Sequence, residues 1–101
     1  MTIIVTNHAI TRLKQRFGLK FHRYTSNRDM MINLIIGQVS NARRLESWKQ
    51  VPFYVNKLGS MYGPNTEIYL KSGVYFVCEH HGEHVVVKTC VEKVACYGKV
   101  T

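Results

Sequence analysis

The sequence predicts an α+β domain in which a short N-terminal strand precedes two helices packed on one face of a four- to five-stranded antiparallel sheet. Three observations predict it. Apolar residues recur at helical spacing up to about residue 41, then at a period of two from residue 43 onward. Turn signals cluster in the second part, at Gly59-Ser60, Gly63-Pro64-Asn65, Ser72-Gly73 and His80 to Glu83. Helices come first and strands after them, which favours α+β over an alternating α/β fold. At 101 residues the chain is a single domain, 1–101, with enough length for one core.

Thr2 to Thr6 is β-branched and reads as a first strand. Asn7 to Gly18 reads as an amphipathic helix, with Asn7 as N-cap and Gly18 as the stop. Ile10, Leu13 and Phe17, with Ala9, form its apolar stripe. His8, Arg12 and Arg16 recur every fourth residue and form a second stripe, an anion-binding edge. Leu19 to Thr25 reads as a loop in which Lys20, Phe21, His22, Arg23 and Tyr24 mix aromatic and basic side chains. Such interleaving stacks bases and holds phosphates. The plainer alternative is that Phe21 and Tyr24 close the edge of the core.

Ser26 opens the second helix, with Asp29 three residues on as in a capping box. Met30, Ile32, Leu34, Ile35, Ile36 and Val39 make this helix the more apolar, and Ser40-Asn41 ends it. Arg43 to Trp48 and Val51 to Leu58 then read as two strands, with Pro52 placing the second at an edge or bulge. Arg43 and Arg44 add a basic pair. Thr66 to Lys71, Val74 to Glu79 and His84 to Val91 read as three further strands. Alternation points Ile68 and Leu70 toward the helices and Tyr69 and Lys71 away. It also places Val85, Val87 and Thr89 on one face of the last strand. Thr89, polar among apolar neighbours, is a candidate partner for the first helix.

The net charge of +8 is uneven. Residues 1–57 carry ten Lys and Arg against two acids, and residues 58–101 carry four of each. A local basic field favours a polyanion, nucleic acid first, although a merely solubilising surface has the same composition. No run has the length of a membrane span, and the N-terminus lacks the basic and apolar regions of a secretion signal. Cys78, Cys90 and Cys96 are odd in number and form no C-x-x-C, so neither a disulfide framework nor a zinc knuckle is expected. A cytoplasmic protein without a cofactor is the expectation. His80, His81, Glu83 and His84 invite a metal reading, but a solvated turn suits residues so close along a hairpin better.

The run His8-Ala9-x-x-Arg12-x-x-x-Arg16, at the head of a small basic α+β domain, resembles the opening of small RelE-type toxins and their phage-borne relatives. These belong to the wider barnase-, colicin- and RelE-like ribonuclease group. Val85-Val86-Val87-Lys88-Thr89 resembles the last strand of such proteins. A departure is Phe17, which separates Arg16 from Gly18 where the family often has glycine directly. The resemblance implies a RelE-like fold and metal-independent endoribonuclease chemistry, in which a ribose 2′-OH attacks the adjacent phosphate. It implies His8 as base or acid, Arg12 and Arg16 as a phosphate clamp, and Thr89 as a positioning hydroxyl. The partner group is then one of Lys71, Lys88, His80, His81 or His84, and the acidic candidates are Glu46, Glu67, Glu79 and Glu83. Lys20, His22, Arg23, Tyr24, Arg43 and Arg44 would hold the RNA. An antitoxin or host factor is a further possible partner. The alternative from a different class is a phage-type regulator that binds nucleic acid or a host protein without cutting it.

Overall fold

The computed structural model describes residues 2–17, 27–45 and 51–92. Their order is β1 (Thr2–Val5), α1 (Asn7–Phe17), α2 (Arg28–Ser40), β2 (Arg43–Leu45), α3 (Phe53–Ser60), β3 (Thr66–Lys71), β4 (Val74–His81) and β5 (His84–Glu92). The strands form one sheet in the order β1-β5-β4-β3-β2. Strands β2 to β5 are an antiparallel meander, as the turn signals predict. The sheet as a whole is mixed, because β1 lies beside β5 in parallel, with Thr2 opposite His84 and Val5 opposite Val87.

Both faces of this sheet are covered. Ala9, Ile10 and Leu13 of α1 and Met31, Ile35 and Val39 of α2 pack with Tyr69, Val74, Phe76, Cys78, Val85, Val87 and Cys90 on one face. Phe76 is wholly buried there, a contribution of roughly 1.5–3 kcal/mol by area alone. The other face joins Ile68, Tyr75, Val77 and Val91 to Val51 and Val55 beneath α3. Ile68 and Tyr69 therefore take the faces opposite to those expected: Tyr69 meets the first two helices and Ile68 meets α3.

α3 is the main correction. Val51 to Leu58 was expected as a strand, since Val51, Phe53 and Val55 fit a period of two. The residues buried are instead Val51, Val55 and Gly59, spaced by four, while Phe53 is 78% exposed. Pro52 sits just before the helix, where its missing N–H leaves no bond unmade. Its carbonyl accepts from the N–H groups of Val55 and Asn56 at 3.0 Å. The three-residue β2 covers only the start of the strand expected over 43–48, and residues 46–48 lie outside the described ones.

Two caps also differ. The cap of α1 is Thr6, whose Oγ1 accepts from Ala9 N–H at 3.1 Å and donates to the Val87 carbonyl at 2.8 Å. Asn7 is already the first helical residue. The cap of α2 is Asn27, whose Oδ1 accepts from the N–H groups of Asp29 and Met30. Ser26, the expected cap, lies outside the described residues.

Strand β5 carries a bulge. Val77 lies opposite Thr89 but Cys78 lies opposite Val87, so Lys88 is an extra residue. Beyond it the alternation is reversed. Cys90, not Thr89, faces α1, and its thiol reaches the Ala9 carbonyl at 3.7 Å. Thr89, 4% exposed, shares the α3 face with Val77.

Thr6 thus joins three elements through one hydroxyl. Thr6→Val is expected to lower stability by about 1–2 kcal/mol in urea unfolding. Asn7→Ala is expected to stay within about 0.5 kcal/mol, as for exposed positions in general; the reverse ranking would return the cap to Asn7.

Candidate functional site

The basic stripe of α1 is presented to solvent. His8 is exposed, and its Nε2 accepts from Arg12 Nε at 3.4 Å. Arg12 also donates from Nη1 to Gln15 Oε1 at 3.2 Å. Arg28, the first residue of α2, donates to Asn7 Oδ1. That contact brings the N-terminal ends of α1 and α2 together. Each end carries the partial positive charge of a helix N-terminus, and α1 has no acidic residue in its first turn to offset it. His8, Arg12 and Arg28 with two helix ends make a pole that attracts anions; Asp29 is the acid beside it. Arg16 lies on α1 one turn beyond Arg12, but its side chain, like Lys20, His22, Arg23 and Tyr24, lies outside the described residues.

A second constellation lies on the sheet, on the face that α1 and α2 cover. Glu67 of β3 is opposite Cys78, and Arg44 of β2 is opposite Tyr69, so Arg44 and Glu67 are diagonal neighbours. Arg44 Nη2 lies 2.9 Å from Glu67 Oε2, and His80 Nδ1 lies 3.2 Å from Glu67 Oε1. The Tyr69 hydroxyl donates to the same Oε1 at 3.2 Å. The Glu67 side chain is only 11% exposed, whereas Arg44 and His80 are about half open to solvent. The other ring nitrogen of His80, Nε2, is 2.7 Å from the Gly82 carbonyl. Carboxylate and carbonyl are both acceptors, so the ring satisfies both contacts when each nitrogen carries a proton. A proton donor, a carboxylate acceptor and a guanidinium are thereby held side by side. Burial, then the charge of Glu67 and the hydrogen bond to it, push the Tyr69 hydroxyl up to about 12.

The opposite face holds a separate set. His81 Nε2 lies 2.7 Å from Glu79 Oε1, and Lys88 Nζ lies 3.3 Å from the same oxygen. The hydrogen bond from His81 is the largest influence on the Glu79 carboxyl; desolvation opposes it, and with the further help of Lys88 the carboxyl is held below the usual glutamate range. Sequence neighbours His80 and His81 thus serve different carboxylates on different faces. The same alternation splits the arginine pair: Arg44 joins Glu67, while Arg43 pairs with Leu70 on the α3 side.

Of the residues expected at one site, the structure brings His8 and Arg12 together; Arg28, which the sequence did not single out, is tied to the same end. Thr89 is not beside them, because the bulge turns it to the far face. Glu67 was one of four acidic candidates that no spacing distinguished. What distinguishes it is the β2-β3-β4 register, which sets its carboxylate between Arg44 and His80. No family matches the chain, and no curated protein or solved structure is detectably similar to it.

Two titrations follow. In carbon-detected NMR, Glu79 is expected to titrate below an ordinary glutamate and to move back up in His81→Ala. A carboxyl held low stabilises the fold above the unfolded glutamate pKa, and that contribution is lost as pH falls through the lowered value. An unchanged Glu79 midpoint in His81→Ala would remove His81 as the cause. In ultraviolet titration Tyr69 is expected to stay protonated to about pH 12, and to ionise earlier in Glu67→Gln.

Proposed function

We propose that this protein binds RNA and cleaves it without a metal, by attack of a ribose 2′-OH on the adjacent phosphate. The observation that carries this reading is the triad on one carboxylate: Glu67 held at once by Arg44 and His80, with Tyr69 beneath. The reaction needs a proton acceptor for the 2′-OH, a proton donor for the leaving 5′-oxygen, and positive charge at the phosphate. Glu67 takes the 2′-OH proton as the new P–O bond forms. The P–O5′ bond breaks, and O5′ takes the proton from His80. Arg44, exposed on the edge strand β2, exchanges part of its contact with Glu67 for the phosphate, which a guanidinium grips in bidentate fashion. The products are a 2′,3′-cyclic phosphate and a 5′-hydroxyl.

The pole formed by His8, Arg12 and Arg28 takes a different role in this scheme. It holds a neighbouring stretch of backbone, an electrostatic contact that needs no particular base. The excess of basic residues in 1–57 supports that role.

One observation favours binding without cleavage. Both Glu67 oxygens are engaged, which is also how a purely structural ion network satisfies a largely covered carboxylate. A regulator on this fold would then use the α1 pole alone.

The test is cleavage of labelled mixed-sequence RNA in EDTA. Glu67→Gln and His80→Ala are each expected to lose roughly a hundredfold or more in rate. Arg12→Ala is expected to weaken binding and to reduce the slope of log affinity against log salt by about one. Rate loss in His8→Ala with Glu67→Gln unaffected would move the chemistry to α1. Salt-dependent binding with no cleavage by wild type would leave the regulator reading, and neither activity would dismiss RNA as the partner.

A further inference from the structure

The register of the sheet fixes where the pole of α1 and α2 lies relative to Glu67. Glu67 pairs with Cys78, Cys78 with Val87, and Val87 with Val5. These four residues form one row across β3, β4, β5 and β1. Cys78 and Val87 are buried under the first two helices and Val5 packs against the same cluster, so the row belongs to the face on which Glu67 stands. Strands about 4.8 Å apart put Val5 about 14 Å from Glu67, Cα to Cα. α1 starts directly beyond Val5, with Thr6 bonded to the Val87 carbonyl. Asn7 binds Arg28 at that same end, and His8 and Arg12 follow on α1. Glu67 and the pole thus stand at opposite ends of one row.

The strand order also gives the row a direction. Glu67 is on β3, and His80, which lies against it, is on β4, one strand nearer the pole. Arg44 is on β2, one strand farther away. In the proposed cleavage Glu67 takes the 2′-OH proton, so it faces the nucleotide on the 5′ side of the scissile phosphate. His80 protonates O5′, so it faces the nucleotide on the 3′ side. A strand that passes Glu67 and then His80 therefore continues in its 3′ direction toward β5, β1 and the pole. A stacked strand rising about 3.4 Å per nucleotide spans about 14 Å in about four nucleotides.

We infer that the pole is a subsite for the 3′ flank of the RNA, in which Arg28 and Arg12 hold a backbone phosphate about four nucleotides beyond the cleaved bond. The inference rests on the reading of Glu67 and His80 as proton acceptor and donor. Arg28 is exposed and contacts the amide of Asn7. Arg12 contacts the His8 ring and the Gln15 amide. Such contacts orient a guanidinium without neutralising it, whereas Arg44 is held by the Glu67 carboxylate. Asp29, beside Arg28, offsets part of the charge of the pole.

DNA oligonucleotides that carry a single ribonucleotide test this, because they can be cut at one position only. The deoxynucleotide flanks are lengthened separately on the 3′ and the 5′ side, and kcat/KM is measured in EDTA. Lengthening the 3′ flank is expected to raise kcat/KM roughly tenfold, the worth of a charge-assisted contact, with a plateau once about four nucleotides are present. Lengthening the 5′ flank is expected to change it little. In Arg28→Ala and in Arg12→Ala the gain from the 3′ flank is expected to shrink. The length series needs no variant, so misfolding can neither produce nor hide it. A gain from the 5′ flank instead, a gain complete with the first added nucleotide, or none from either flank overturns the inference and leaves the cleavage reading in place. A 3′ gain undiminished in both arginine variants also overturns it, by removing the pole as its source. If the wild type cuts none of these substrates, the reading of Glu67 and His80 fails and the inference falls with it.

Discussion

The parallel pairing of β1 with β5 is the constraint on which the other arrangements depend. It joins the start of the chain to a strand more than eighty residues later, as the Thr6 hydroxyl on the Val87 carbonyl illustrates. Parallel neighbours cannot be joined by a tight turn, so the chain must leave the sheet and return. It leaves through α1 and α2, which places both helices on one face and their N-terminal ends in contact at Asn7 and Arg28. It returns at the far edge as β2 and crosses back strand by strand until β5 meets β1. α3, inserted in that return, covers the other face. The position of the basic pole and the availability of both faces for side chains follow from this one pairing.

The sheet also sorts charge. Two carboxylate–histidine pairs sit near the same hairpin, Glu67 with His80 and Glu79 with His81, on opposite faces. They differ in what surrounds them. Glu67 is largely enclosed on the helices' face, shares its oxygens with Tyr69, Arg44 and His80, and is held by an interstrand register. Glu79 is paired with His81 and Lys88 on the more open side. A group that must hold a proton acceptor in a fixed place requires the first kind of setting, since packing and hydrogen bonds fix the geometry. That difference favours Glu67 over Glu79 as the proton acceptor in the proposed cleavage.

The first helix, the second helix, the last three strands and the two hairpins joining them were legible in the sequence. Each rests on local rules: Ile10 and Leu13 at helical spacing, Ser72-Gly73 at a tight turn, β-branched runs between them. The α3 segment was not legible, because Val51 and Val55 fit a helical spacing of four and, with Phe53 between them, a period of two as well. Only the burial of Gly59 against Thr66 and Ile68, four residues beyond Val55, resolves it. His8 and Arg12 were legible as a pair, since a four-residue spacing on a helix is enough to place two side chains together.

The sequence by itself determined the α+β class, the concentration of positive charge in the first part of the chain, and the basic stripe on α1. These depend on composition and on periodicities of a few residues, which neighbours along the chain dictate. The tertiary structure alone decided the parallel placement of β1, the face to which Thr89 turns, and the meeting of Arg44, Glu67 and His80. Each depends on interstrand register, and register is set by contacts between residues far apart in the chain. A single extra residue, Lys88, reverses every side chain that follows it.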